Sequence, residues 1–330
     1  MRPRVVHLLD DFALGGVTRG LAIFNSPEVQ AVADCRVQDI APDAMLAPRL
    51  DADVIIIHFP PNWQRLALLA SLRRRNPHAR IIHVEHSYTG AGEALKVRRT
   101  GRFRLMLKLA FRLVDHVVCV SRGQANWLQG VTGLAADRIS AIHPYSDNPG
   151  LATMALPQPG DRLRIGAYGR FCEQKGFEDL IRAMQAGALP HCDLVIGGFG
   201  ELEPIYRRLA DGNPHIHFAG KISNVAGFLA GVDVVALPSR WEAYGQVANE
   251  AREAGRPILV APVDGLPEQV GDAGLVVDFN NHAGLALAIA GLTPARLAAM
   301  GEAGRAATQG CGAARAAQWA ALISRLVAGA

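Results

Sequence analysis

Short apolar runs rich in Val and Ile, each closed by turn residues, recur along the chain at 5–9, 35–40, 53–59, 80–86, 116–121 and 138–143. Short β-branched runs of this kind, bounded by turn signals, are what strands buried in a parallel sheet present. Helical patterns fall between them, as at 62–75 and 122–130. Pro144, Pro149, Gly150, Pro157, Pro159 and Gly160 then break the pattern and read as a linker. Beyond it the alternation resumes, with runs at 164–169, 193–197, 216–219, 232–237, 257–261 and 274–277, and Ala/Leu-rich helices close the chain. Repeated strand-helix alternation predicts two doubly wound α/β domains, most simply with a ligand cleft between them. The expected boundaries are 1–150 and 151–312, with a closing helix over 313–330 that is able to return to the first domain.

Composition narrows the function classes. The chain has 330 residues, 50% hydrophobic and 19% charged, which excludes a disordered chain. No stretch of about 18 uncharged apolar residues is present, so no spanning helix is predicted. The basic start, Met1 to Leu9, is cut short by Asp10-Asp11, so a secretory signal is not expected and a cytoplasmic location is. The 5 cysteines show no C-x-x-C or Cys/His spacing; Cys119, within His116–Val120, reads as a small buried hydrophobe. Charge is uneven: residues 1–150 hold 19 Lys+Arg against 13 Asp+Glu (+6), and 151–330 hold 15 against 17 (−2). The excess concentrates between Lys96 and Arg112, where seven basic residues occur without an acid, and Arg104, Lys108 and Arg112 repeat along one helical face. Two readings stand for that helix: a core helix with a solvated basic face, or one that rests on an anionic membrane surface. Nucleic-acid binding finds no support, because no recognised or aromatic-interleaved basic motif accompanies the charge.

Candidate chemistry lies at the strand ends. Gly15-Gly16, between the first strand and a helical pattern, lets backbone N–H groups approach a phosphate, although a tight turn needs the same residues. It is not G-x-G-x-x-G, so the dinucleotide fingerprint is absent there. The second domain opens with Gly169-Arg170-Phe171-Cys172-Glu173-Gln174-Lys175-Gly176, which puts two cations near a strand's carboxyl end, where a diphosphate could be clamped. Gly198, at the end of the following strand, offers another close backbone approach. The most informative segment is Pro238-Ser239-Arg240-Trp241-Glu242-Ala243-Tyr244-Gly245-Gln246-Val247-Ala248-Asn249-Glu250. A helix beginning near Tyr244–Gly245 would place Glu250 about two turns inside it and offer its N-terminal N–H groups to a phosphate. Glu242 and Glu250 would flank that phosphate and accept hydrogen bonds from hydroxyl groups, as two sugar rings joined through a diphosphate provide.

With Glu242 and Glu250 in E-x7-E spacing, Arg170 and Lys175 in a Gly-Arg…Lys-Gly context, the Gly15-Gly16 loop and the segment Asp264–Val270, the chain resembles a GT-B retaining glycosyltransferase of the family-4 class over nearly its whole length. The resemblance implies two Rossmann-like domains facing a central cleft, residues 1–150 on the acceptor side and 151–312 binding a nucleotide-sugar donor. Glu250 would bind the ribose hydroxyls and Glu242 the donor sugar. Arg170 and Lys175 would neutralise the diphosphate, aided by backbone near Gly15, Gly16, Gly198, Tyr244, Gly245, Gln246 and Val247. His86, on the face of its strand opposite His83 and Glu85, would face the donor sugar. No metal or cofactor is implied, because the cations and the helix terminus stabilise the leaving diphosphate. The implied reaction is front-face transfer with retention from a UDP- or GDP-sugar to an acceptor hydroxyl. With the basic segment on the inner face of a membrane, that acceptor is expected to be a glycan or lipid-linked saccharide of polysaccharide, lipopolysaccharide or glycolipid assembly. A GT-B epimerase or phosphorylase, or a non-catalytic nucleotide-sugar-binding protein, is the alternative. Neither a set of carboxylates suited to epimerisation nor a lysine context for pyridoxal phosphate is evident.

Overall fold

The computed structural model describes residues 2–10, 20–145, 148 and 150–329. They fall into two compact units, Met1–Asp147 with Gly310–Ala330, and Asn148–Gln309.

The first unit carries β1 (Arg4–Leu9), β2 (Asp34–Asp39), β3 (Val54–Ile57), β4 (Arg80–Glu85), β5 (His116–Cys119) and β6 (Ile139–Ala141) in one parallel sheet of order β2-β1-β3-β4-β5-β6. The unbroken apolar runs are explained by the layers on both sides. Ile55 and Ile57 of β3 join one core with Leu8, Ile81 and Val117, while Val54 and Ile56 join another with Val5, Ile82 and Val118. Helices α1 (Pro27–Gln30), α2 (Arg65–Arg75), α3 (Gly90–Lys96), α4 (Thr100–Arg112) and α5 (Arg122–Thr132) connect the strands. β3 ends two residues before the predicted limit, where the chain turns into Pro60-Pro61.

The basic segment is helical where expected, but its charge is arranged differently. Met106, Leu107, Ala110 and Phe111 are buried, and Arg102, Leu105, Lys108 and Arg112 are exposed. Arg104 does not belong to a free basic row: its Nε and Nη2 donate to Oε1 and Oε2 of Glu93 at 2.7 and 3.0 Å. Trp127 Nε1 donates to the same carboxylate at 3.0 Å. The neutralising acid lies on α3, outside the stretch over which the charges were counted.

The second unit repeats the plan. β7 (Leu163–Arg170), β8 (Cys192–Phe199), β9 (Ile216–Gly220), β10 (Val234–Leu237), β11 (Ile258–Val260) and β12 (Gly274–Val276) form a parallel sheet of order β12-β11-β10-β7-β8-β9. Its helices are α6 (Phe177–Gln185), α7 (Glu203–Leu209), α8 (Val225–Ala230), α9 (Gln246–Glu253), α10 (His282–Ala290) and α11 (Pro294–Thr308). The last helix, α12 (Cys311–Ala328), belongs to the first unit, where Trp319, Leu322 and Ile323 are buried with Ile23 and Phe24. No single helix among the described residues is long and apolar enough to cross a membrane.

Three histidines are built into the first unit as uncharged groups. His7 Nδ1 lies 2.9 Å from His58 Nε2, and the His7 ring meets Phe24 edge-on at 4.1 Å between centroids. Burial pushes His7 down to about 3. Burial, and then the neighbouring His7, push His58 well below its ordinary value. Burial and the Arg325 charge bring His116 down to about 4. The unfolded chain takes up protons as pH falls through about 6.5, whereas the folded chain resists until far lower pH, so acidification favours unfolding. The urea midpoint is therefore expected to fall between pH 7.5 and pH 5. His7→Phe is expected to make that fall smaller; an equal fall in the variant would exclude His7 as a source of the pH dependence.

Candidate functional site

In the second unit the strand order reverses at β7, which lies between β10 and β8. In open parallel sheets, ligands bind outside the carboxyl ends of the strands at such a reversal. β7 ends in Gly169-Arg170, with Arg170 exposed and in register with Phe199 of β8. The neighbouring pair is Gly169 and Gly198. A Cβ on Gly198 would lie 1.9 Å from the Gly169 carbonyl oxygen, so only glycine lets these two strand ends come together.

From Arg170 the chain makes a 3₁₀ turn over Glu173–Lys175 and enters α6 through Gly176, whose φ is +61°. A Cβ at Gly176 would sit 2.3 Å from the carbonyl oxygen of Pro238, so this turn rests directly on the end of β10. The Arg240 N–H donates to the Gln174 carbonyl at 2.8 Å, and Gln174 Nε2 donates to the Trp241 carbonyl at 3.1 Å. The two loops are thereby joined through the main chain and side chain of Gln174.

This junction brings Lys175 and Glu242 together: Nζ donates to Oε2 in an ion pair whose side chains are 20% and 11% exposed. Ser239 Oγ donates to the same Oε2 at 3.3 Å. The Glu242 main chain is also held, its N–H donating to Asp264 Oδ2 at 3.0 Å and its carbonyl accepting from the Gly265 N–H at 3.1 Å. Arg240 faces elsewhere, pairing with Glu178 at 2.5 Å and Asp179 at 3.8 Å. Burial holds the Asp179 carboxyl above its ordinary value despite the Arg240 charge.

Glu250 is the other acid, 4% exposed on α9. Its Oε2 accepts the Tyr168 hydroxyl, from β7, at 2.7 Å. The expected depth of two turns is corrected to one, because Gly245 adopts φ +88° and delays the first helical residue to Gln246. Gln269 Nε2 donates to the Tyr244 carbonyl, and more weakly to that of Gly245 at 3.4 Å. The Tyr244 side chain is itself buried. The N–H groups of Gln246 and Val247 open the helix and have no carbonyl partner within it. Both polar ends of the Gln246 side-chain amide are buried without a hydrogen-bond partner.

His86 belongs to the first unit, just beyond β4. Its Nε2 donates to the His58 carbonyl at 2.6 Å, which leaves Nδ1 as the acceptor nitrogen, 3.4 Å from Ser87 Oγ. The buried Glu85 shapes this turn: Oε1 accepts from the Ser87 and Tyr88 N–H groups at 2.8 and 2.9 Å, and Oε2 lies 3.3 Å from His83 Nε2. Burial raises the Glu85 carboxyl, but His83, the Tyr88 N–H and nearby His86 outweigh it and hold it below its usual range. Gly15 and Gly16 lie outside the described residues. Among the described residues, no group of three or more His, Cys, Asp or Glu side chains is placed to hold a metal ion.

Arg170, Lys175, Gly198, Glu242, Tyr244, Gly245, Gln246, Val247 and Glu250 thus belong to adjacent strand ends and loops of one unit. Tyr168, Ser239, Asp264 and Gln269 support them and were not singled out from the sequence. For Tyr168 the available signal was its place two residues before Arg170 on an otherwise apolar strand.

Residues 162–293 match the family described as glycosyl transferases group 1, and residues 36–147 match glycosyltransferase family 4. The chain belongs to this family. The first match contains every site residue of the second unit, and the second contains His86. Among related sequences, the lipopolysaccharide core biosynthesis glycosyltransferase LpsE of Rhizobium meliloti is 32% identical over 206 residues, 59% of this chain and 58% of that protein. The D-inositol 3-phosphate glycosyltransferase 1 of Catenulispora acidiphila is 29% identical over 249 residues, 65% of this chain and 56% of that protein. The chain therefore matches less than two thirds of the length of these relatives. Sucrose-phosphate synthase of Thermosynechococcus elongatus superposes with a TM-score of 0.77 at 20% identity, covering 100% of both chains. Anabaena HepE, solved with UDP-glucose, gives 0.74 at 17% identity over 98% of this chain and 100% of that one. WaaG, a glycosyltransferase involved in lipopolysaccharide biosynthesis, gives 0.65 at 17% identity over 94% of this chain and 98% of that one. The shared architecture is the GT-B fold.

The contact between Gly176 and Pro238 is the steric reason that glycine follows Lys175 in this chain. Gly176→Ala combines a left-handed φ with a clash against backbone, and is expected to cost about 1–3 kcal/mol of stability in urea unfolding. A loss below a few tenths of a kcal/mol would show that the turn relaxes freely.

Proposed function

We propose that this protein is a retaining glycosyltransferase that transfers a sugar from a nucleotide-sugar donor to a hydroxyl of a saccharide or lipid-linked acceptor. The observation that carries the reading is the arrangement at the end of β7: Glu242 held by Lys175, Glu250 held by Tyr168, and the open N-terminus of α9 beside them.

The chemistry follows from these groups. A diphosphate is met by the Arg170 guanidinium, the Lys175 ammonium and the N–H groups of Gln246 and Val247, with glycine backbone at Gly198 and Gly245 allowing close approach. An ammonium has three donors, so Lys175 can serve a phosphate oxygen while still holding Glu242. Glu250 accepts the ribose hydroxyls, and the Tyr168 hydroxyl fixes its second oxygen. Glu242 accepts hydroxyls of the donor sugar. In the transfer, the acceptor oxygen bonds to the anomeric carbon on the face from which the diphosphate departs. The carbon–oxygen bond to the diphosphate breaks with its electron pair, and the acceptor proton passes to the departing phosphate oxygen. The configuration is retained. Developing charge on the leaving group is met by Arg170, Lys175 and the helix terminus, so the scheme calls for no metal.

The donor base is read as uracil or guanine; HepE, solved with UDP-glucose, makes UDP-sugars the first to test. For the acceptor, relatives named for lipopolysaccharide core biosynthesis and the surface around α4 point to a lipid-linked saccharide at the cytoplasmic face of a membrane. On that surface Arg98, Arg99, Arg102 and Lys108 are exposed, Leu105 is 50% exposed, and the Arg102 guanidinium lies 5.2 Å over the Trp63 ring. Exposed apolar groups among cations are what an interfacial helix presents to anionic lipid.

Incubation with UDP- and GDP-sugars, without metal, is expected to give transfer or slow donor hydrolysis. Glu250→Ala and Lys175→Ala are each expected to reduce turnover about 100-fold or more with the circular dichroism spectrum retained; near-normal turnover in both would overturn the site. Replacing Arg98, Arg99 and Arg102 by Gln is expected to lower cosedimentation with phosphatidylglycerol vesicles and leave the weak binding to phosphatidylcholine unchanged. Equal binding to the anionic vesicles would remove the membrane from the reading.

A further inference from the structure

At the opposite end of the first unit's sheet, where β4, β5 and β6 begin and α2, α4 and α12 end, lies a cavity of about 620 Å³. Arg73, Arg80, Arg112, Arg138 and Arg325 line it, against only Asp115 and Asp137 as acids. Three of these arginines are fixed by the fold. Arg73 Nη2 pairs with Asp115 Oδ2 at 2.5 Å and its Nε donates to the Leu113 carbonyl at 3.2 Å. Arg80 Nε donates to the Leu326 carbonyl at 3.2 Å, and Arg138 Nη2 donates to the Phe111 carbonyl at 2.9 Å. Asp115 is fully engaged, since the Ile81 N–H also donates to it at 2.7 Å. Capping of helix ends accounts for the placement of these three side chains. It does not account for the other two.

Arg112 has no hydrogen-bond or ion-pair partner among the described residues. Among the described residues, Arg325 reaches only the Asp137 carbonyl and His116 Nδ1, both at the outer limit of 3.5 Å. Cations that converge on a cavity without enough internal acceptors leave their donors for a ligand. All five are arginine, whose planar fork matches the oxygens of a phosphate or carboxylate in pairs. The excess of cations over acids favours a doubly charged group, and the prior fixation of Arg73, Arg80 and Arg138 lowers the ordering cost of binding.

We infer that this cavity is an anion site for a phosphate-bearing ligand, separate from the strand ends that carry the proposed transfer chemistry. Its volume exceeds that of phosphate alone and accommodates an attached organic group. The shared chemistry is a phosphomonoester or diphosphate, supplied either by a soluble compound or by a lipid headgroup.

Calorimetric titration of pyrophosphate into Lys175→Ala, whose proposed donor site is weakened, tests the inference independently of the transferase reading. Binding is expected to persist there and to weaken about tenfold or more when Arg112→Ala and Arg325→Gln are added. Arg112→Ala alone, at a side chain with no internal partner, is expected to act in the same direction with the thermal midpoint unchanged. Capture by phosphatidic acid vesicles that depends on Arg112 and Arg325 would assign the site to a lipid phosphate. Dependence seen with pyrophosphate and not with vesicles would assign it to a soluble one. Absence of pyrophosphate binding in Lys175→Ala together with vesicle capture indifferent to the two arginines would overturn the site, as would binding of both probes indifferent to those substitutions.

Discussion

A carboxylate removed from water must be met by a cation or by hydrogen-bond donors, since leaving it buried alone costs several kcal/mol. Among the buried carboxylates of the second unit are two that lie eight residues apart, Glu242 in a loop and Glu250 one turn into α9, and both find partners on or just after β7. Lys175 meets the first and Tyr168 the second. These two contacts tie the loop and helix after β10 to the strand beside it. The charged ends thereby face the point where the sheet reverses direction, and the hydrogen bonds between Gln174 and residues 240–241 keep them there.

The first unit meets the same constraint with different residues. Glu85 stays ionised in the interior because two main-chain N–H groups and His83 surround it, and its reward is a rigid turn that carries His86. The histidines farther inside are treated in the opposite way. His7 and His58 share one hydrogen bond and remain neutral. At the other end of the sheet helix termini gather, and Arg73, Arg80 and Arg138 answer their carbonyls.

Much of this was legible in the chain. The inner strands β3 and β5 followed from apolar runs without alternation, because a strand covered on both faces has no polar side to reveal, whereas the edge strand β2 is polar and largely exposed. The E-x7-E spacing and the two cations earlier in the same domain, Arg170 and Lys175, pointed to side chains that the fold gathers in one unit. What escaped were interactions spanning long stretches of sequence. Tyr168 and Glu250 are 82 positions apart, and nothing local distinguishes a core tyrosine from a partner to a buried acid. The depth of Glu250 was overestimated because a glycine before a helix signals either a first residue or a delayed start. Arg104 was counted as free because the acid that neutralises it, Glu93, lies on the preceding helix.

The path of the polypeptide has a further consequence, in the order of synthesis. Asn148–Gln309 is continuous, so all of its strands and helices are available once that stretch has been translated. The first unit is not continuous: one apolar layer of its sheet is covered by Trp319, Leu322 and Ile323. During synthesis from the N-terminus, the half made first is therefore finished last. Until α12 emerges, Ile23 and Phe24 lack their cover, and that layer is a natural place for a chaperone to hold the nascent chain.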